Sequence, residues 1–270
     1  KNDNTDIRKL PDLVAIQLND THPALAIPEL MRLLVDEEGL EWDQAWDITV
    51  RTFAYTNHTV LPEALEEWPV RLLERVLPRH LEIIYLINHH FLQSVAMRYP
   101  GDKDILRRVS VIAEEPEKRI RMAYLATIGS HSVNGVAELH SRLLRETILK
   151  DFYEIWPERF NNKTNGINHR RWLLSCNPEL AALISEAIGN DWVRDPELLR
   201  KLEPWVEDAS FRERFRAIKR RNKQRLASLI RRLCGETVDV DAMFDVQVKR
   251  LHEYKRQLLN TMRIIALFHR

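Results

Sequence analysis

Along the chain the spacing of apolar positions switches period several times, and each switch predicts an element. Residues 13–18, Leu-Val-Ala-Ile-Gln-Leu, make the short apolar run of a buried strand. The run ends in Asn19-Asp20-Thr21-His22-Pro23, a polar turn whose proline opens an apolar helix over residues 24–35. Trp42, Ala45, Trp46 and Val50 share one face of a helix over Trp42–Thr52. A polar loop follows from Tyr55. Residues 63–99 then read as helix restarted by Pro69 and Pro78, with Leu81, Ile84, Ile87, Phe91 and Val95 on the buried face of its last part. Residues 110–113 predict a short strand. Residues 120–128 form an apolar segment closed by Gly129-Ser130-His131, and residues 133–149 a further helix.

Residues 161–166, Asn-Asn-Lys-Thr-Asn-Gly, are the clearest turn cluster in the chain, and a domain boundary is expected there. Beyond it, residues 170–174, 179–188, 196–205 and 210–233 predict helices. The last of these carries an apolar stripe through Phe211, Phe215, Ile218, Leu226, Leu229 and Leu233. Residues 244–248 alternate Phe, Asp, Val, Gln, Val, as a half-buried strand should. Helical period returns from Glu253 through Tyr254, Leu258, Met262 and Ile265, so a strand feeding a helix, the opening half of a βαβ unit, is expected there. Strands interleaved with many helices predict a helix-rich α/β protein.

Composition narrows the partners. Of 270 residues, 41 are basic and 40 acidic, a net of +1. A general attraction to nucleic acid or an anionic membrane is therefore not expected, and any anion site depends on local cations. No apolar run approaches the roughly 20 residues of a membrane span, and residues 1–8 do not read as a leader. Cys176 and Cys234 make neither a disulfide framework nor a zinc signature, which suits a reducing, cytoplasmic setting. The chain holds 7 glycines, against roughly 19 at an average usage of about 7%. It starts without Met and stops within an apolar-periodic stretch that has no stop signal. We expect an internal piece that binds anions through side-chain cations, its glycine-rich loops lying elsewhere.

The sharpest chemical signal is Val248-Lys249-Arg250-Leu251-His252-Glu253-Tyr254-Lys255-Arg256. Cations at a strand-to-helix junction suit an anion, with the Arg fork matching phosphate oxygens and Lys acting as a compact charge. From the residues alone, a phosphate site and a solvated basic turn both stay open. Asn57-His58, the loop from Asn19 to Pro23, and Lys163-Thr164-Asn165-Gly166 offer side chains that both donate and accept, as neutral polyhydroxyl ligands need. Plain capping turns fit the same residues. Metal chemistry is not expected: His252-Glu253 lacks the second His of a helical zinc site, since Arg256 holds that position, and His89-His90 are adjacent. No glycine-rich nucleotide motif is present, and the basic helix over 212–232 lacks interleaved stacking aromatics.

Several ordered stretches resemble the glycogen/starch/maltodextrin (α-1,4-glucan) phosphorylase family: QLNDTHPALAIPELMRLL, AYTNHTVLPEALEEWP, LPRHLEIIYLIN, GSHSVNGVAELHS, NKTNGI, RRWL, CNPEL and FDVQVKRLHEYKRQLLN. The resemblance implies part of a two-domain, glycosyltransferase-B-like architecture. Residues 1–163 would be the later part of the N-terminal domain, and residues 164–270 the first part of the C-terminal nucleotide-fold-like domain. It implies reversible phosphorolysis of terminal α-1,4-linked glucose to glucose 1-phosphate, with pyridoxal 5'-phosphate acting through its phosphate group.

By motif, His58, Arg250 and Lys255 would be catalytic. Asn165, Asp20, His22, Glu66, Val136 and Tyr254 would bind substrate, and Lys249 and Trp172 the cofactor. The Schiff-base lysine of the family falls outside this chain, and Asn168-His169 stand where the family usually has Thr-Pro. The implied partners are an α-1,4-glucan (glycogen, starch or maltodextrin), inorganic phosphate and, at full length, a second copy in a homodimer. The 270-residue chain alone is expected to be inactive. A non-catalytic glucan-binding fragment, or a family member whose activity has decayed, is the alternative.

Overall fold

The computed structural model describes residues 6–270, so only part of the opening stretch 1–8 is described. Two compact units result, one through Gly166 and one from Ile167 onward. Residues 164–166, assigned above to the second domain, stay with the first unit. The Lys163 N–H donates to Gly135 O at 3.1 Å and the Asn165 N–H to Val136 O at 2.9 Å.

Among the described residues the first unit has seven strands: β1 (Ile16–Asn19), β2 (Phe53–Thr56), β3 (Glu67–Pro69), β4 (Ile112–Ala113), β5 (Arg119–Arg121), β6 (Ser132–Gly135) and β7 (Phe160–Asn162). Four form a wholly parallel sheet in the order β1-β2-β6-β7. Its two faces differ sharply. Leu18, Phe53, Tyr55, Val133 and Phe160 point into the core and are buried. On the other face Asn19 pairs with Thr56, Thr56 with Asn134 and Asn134 with Asn161, a polar row one residue deep across all four strands. Side chains turned to that face are stitched together: Gln17 Nε2 donates to Thr56 Oγ1 at 2.6 Å, and Thr56 Oγ1 to Asn134 Oδ1 at 2.8 Å.

Helices close the apolar face. Pro78 opens the helix Pro78–Arg98, whose Leu81, Ile84, Ile87, Phe91 and Val95 are buried as their spacing predicts. It packs on the helix Ala26–Arg32, and the helix Trp42–Thr52 forms with the bounds read from the sequence. Two expectations fail here. Within the predicted helix 63–99, Glu67–Pro69 is a strand, because its backbone pairs antiparallel with Arg119–Arg121. Within the predicted helix 133–149, residues 133–135 belong to β6 in the parallel sheet, and the helix is confined to Glu138–Glu146.

In the second unit, Pro178–Ile188 and Ala209–Cys234 are α-helices, Arg170–Ser175 is a π-turn and Pro196–Glu207 a 3-10 run. Ala181, Ile184 and Trp192 form its small core. Asp208 caps the long helix by accepting from Phe211 N at 2.7 Å, and Gly235 ends it at φ +77. Only Ile218 of the expected apolar stripe is buried. The strand expected over 244–248 is absent: these residues have no regular structure, and Val246 and Val248 are exposed. Alternation supplies one half of a ladder, and among the described residues this unit has no second strand to pair with. The helix does return, over Gln257–Phe268.

Candidate functional site

Where the polar face of the sheet meets the carboxyl ends of its strands there is a cleft of about 440 Å³. Ligands of open α/β sheets bind at that edge, because loops diverge there. Asn19, Thr56, Asn134 and Asn161 floor the cleft, and His58, Val136, Lys163 and Asn165 wall it. Three residues singled out from the sequence, His58, Asn165 and Val136, are thus brought together. The cleft is furnished mainly with amides and hydroxyls. His58 lies on the segment leaving β2, and its Nε2 is 2.5 Å from Asn19 Oδ1, so the ring donates there and leaves Nδ1 free.

Beside it the loop after β1 makes a second polar knot. Asp20 adopts φ +70, and its carboxylate accepts from Thr21 N at 2.9 Å. Asp and Asn tolerate the left-handed region better than other side chains because they can bond locally. Thr21 Oγ1 donates to Glu66 Oε2 at 2.5 Å, and His22 Nδ1 lies 3.2 Å from the same oxygen. Asp20, His22 and Glu66 therefore form one loop cluster, joined to His58 through Asn19.

Sequence reasoning missed His140, which it buried within a longer predicted helix. His140 Nε2 is 2.9 Å from Asn57 Oδ1, and Nδ1 accepts from the Val136 N–H at 3.1 Å. Burial, and secondly the charge of His58, lower its affinity for a proton, with Asp20 pulling the other way. Burial likewise raises the Tyr55 hydroxyl pKa. The polar row Thr56, Asn134 and Asn161 was also missed. Its signal is present as a polar residue directly after a buried apolar one in each strand, but the register that aligns the three is not.

The remaining residues lie in the second unit. Lys249 and Arg250 are exposed on an irregular segment, braced where Gln257 Nε2 donates to Arg250 O at 2.8 Å. Lys255 ends the 3-10 turn Glu253–Lys255, its ammonium 5.4 Å from the centroid of the Tyr254 ring. Tyr254 packs on His252, ring centroids 4.5 Å apart. Arg220 and Arg263 pair with Asp241 and Asp245. Among the described residues Lys249, Arg250 and Lys255 pair with no carboxylate, so their charges are available to an anion. Trp172, in the π-turn, is 62% exposed.

The first unit thus offers a cleft lined mainly by amides, with Lys163 on its wall, and the second offers cations that pair with no carboxylate among the described residues; comparison with known proteins adds the family. The chain matches the phosphorylase family, described as carbohydrate phosphorylase, over residues 1–270. It is 58% identical to the muscle form of glycogen phosphorylase of Homo sapiens, over 98% of this chain and 32% of that protein. The Oryctolagus cuniculus muscle form is 57% identical and the Bos taurus brain form 56%, over the same shares. The chain thus spans about a third of the length of the curated relatives it matches. Helix-rich α/β with a parallel sheet, the chain fits a part of a glycosyltransferase-B-like fold. Matched from its first residue to its last, the chain belongs to the carbohydrate phosphorylase family.

Proposed function

We propose that the protein carrying this chain is an α-1,4-glucan phosphorylase, a cytoplasmic glycosyltransferase that works as a homodimer. It releases glucose 1-phosphate from a chain end by reversible phosphorolysis. The observation that carries the reading is the convergence of His58, Asn165 and Val136 on one cleft, in a chain whose relatives are glycogen phosphorylases. In this reading residues through about 163 serve the N-terminal domain and the rest open the C-terminal one.

His58 and Asn165 grip the terminal glucosyl unit, Asp20, His22 and Glu66 line its approach, and Tyr254 contacts bound sugar. The glycosidic C1–O bond breaks, the departing 4-oxygen takes up the proton carried by the inorganic phosphate, and an oxygen of that phosphate forms the new bond to C1. Positive charge developing on the ring favours an orienting imidazole and a nearby phosphate anion. Arg250 binds the phosphate through its planar fork and Lys255 through a compact charge.

The donor set also fits pyridoxal 5'-phosphate: Lys249 is an unpaired cation for its phosphate, and exposed Trp172 offers a flat apolar neighbour. When bound, that group supplies a phosphate able to exchange a proton with the substrate phosphate. Two phosphates side by side repel, and three cations offset that repulsion.

Arg250→Ala in the full-length protein should lower glucose 1-phosphate release by about 100-fold or more, the scale on which removal of one aimed charge-stabilising donor is felt. Near-normal release would remove Arg250 from the mechanism. Full-length protein that binds maltodextrin yet releases no sugar phosphate would favour a non-catalytic, glucan-holding role instead.

A further inference from the structure

Behind the cleft runs a hydrogen-bonded chain that none of the roles above uses. The Val136 N–H donates to His140 Nδ1 at 3.1 Å. A ring nitrogen that accepts carries no proton, so the proton of the neutral imidazole sits on Nε2. That Nε2–H faces Asn57 Oδ1 at 2.9 Å. Asn57 is 1% exposed, and its Nδ2 donates to the hydroxyl of fully buried Tyr55 at 3.0 Å. Its backbone N–H donates to Asn134 O at 3.0 Å. Both side-chain heteroatoms of Asn57 therefore have fixed partners, and turning the amide over would set an N–H against the His140 N–H.

The two ends of this chain stand under the two walls of the cleft. Asn57 immediately precedes His58. Val136, whose N–H the ring holds, offers its carbonyl to the Asn165 N–H at 2.9 Å. One imidazole thus spans from the exit of β2 to the exit of β6, strands joined otherwise by their backbone ladder and the Thr56–Asn134 bond. The ring is not among the residues that line the cleft. A histidine that only filled core space would need neither nitrogen in a specified role.

We propose that His140, as its Nε2–H tautomer, is a positioning residue that sets the separation and orientation of His58 and Asn165 across the sugar cleft. The inference rests on the phosphorylase reading. Burial supports it, since the ring disfavours the charged form that would turn Nδ1 into a donor facing the Val136 N–H.

The test uses full-length protein and phosphorolysis of maltodextrin. His140→Leu removes both bonds. His140→Asn keeps an acceptor near Val136 but falls short of Asn57, and serves if the Leu variant does not fold. His140→Gln restores an N–H at the position of Nε2. We expect kcat to fall by about 10-fold or more in the Leu and Asn variants, with KM for glucan within about twofold, as for contacts completed in the transition state. Gln restores the bond to Asn57 and forgoes the one to Val136, so it should recover part of the loss, above both the Leu and Asn variants, because Asn57 directly precedes His58.

In a His58→Asn background, His140→Leu or His140→Asn should cost less than about twofold more, because residues acting through one another are not additive. Losses that multiply, Gln no better than Leu or Asn, or kcat unchanged in both the Leu and Asn variants would each overturn the proposal. Inactive wild-type protein would instead overturn the phosphorylase reading, so the two failures are distinguishable.

Discussion

Gly135 closes β6, and the helix Glu138–Glu146 turns back over it so closely that a methyl group has no room. A Cβ on Gly135 would sit 2.5 Å from Ser141 Oγ, 2.9 Å from Ser141 Cα and 3.0 Å from Ser141 N. The hydroxyl could rotate aside, but the backbone cannot. Carbon atoms settle about 3.5–4.0 Å apart, so the helix must withdraw by roughly 0.6 Å or more in Gly135→Ala. Overpacking of this kind costs about 1–3 kcal/mol. The shift also strains the 2.8 Å bond from Ser141 Oγ to Asn162 Oδ1, worth about 1 kcal/mol.

Together these give about 2–4 kcal/mol of local destabilisation. At 1.4 kcal/mol per decade, amides over Glu138–Glu146 should exchange with deuterium about 30-fold to several hundred-fold faster. Mass spectrometry of peptides from the full-length protein reads this directly. Gly166→Ala is the control, since nothing lies within 4 Å of its added methyl. Exchange of 138–146 within about threefold of wild type would show that helix and sheet are not in the close contact described.

Two further outcomes concern acid. Hydrogen bonds from Arg32 and then His80 hold the Glu29 carboxyl at about 2, below its ordinary 4.5. A depressed carboxylate stabilises the fold fully above pH 4.5 and loses that effect as pH falls toward 2. Because Glu29 is 40% exposed, solvent screening limits the contribution to about 1 kcal/mol or less. Arg32→Met should move the acid-unfolding midpoint, followed by tryptophan fluorescence, to higher pH, and an unmoved midpoint would refute it. His140 also prefers its neutral form when folded, so the unfolded chain takes up its proton first as pH drops below 6.5, and stability declines from there. The loss of Tm just below pH 6.5 should be shallower in His140→Gln, and a slope identical to wild type would contradict the partly buried, neutral ring.

Elements held together by local periodicity were legible in the sequence. Trp42–Thr52 and the buried face of Pro78–Arg98 carry their stripes over several turns, and Pro78 marks its own start. β6 was not legible. Val133 and Val136 are three apart, as on a helix, and the strand is too short for alternation to contradict them. Over 244–248 the failure runs the other way, because alternation was present and, among the described residues, a partner strand was not. The polar loops of the site could be read as loops from Asn, Asp, Gly and Pro. Their meeting at one sheet edge depends on the order β1-β2-β6-β7, a pairing between segments far apart in sequence. His140 was hidden for the same reason, since its partner Asn57 is 83 positions away.

The parallel sheet divides its labour between its faces, and mutation should feel that division. A side chain such as Leu18 or Val133 answers to close-packed neighbours, so only exchanges of matching volume are cheap there. One position along, Asn19, Thr56 and Asn134 answer to one another and to what enters the cleft. Selection can thus revise which hydroxyl pattern is favoured by swapping one amide for another, while the opposite surface keeps the strands in register.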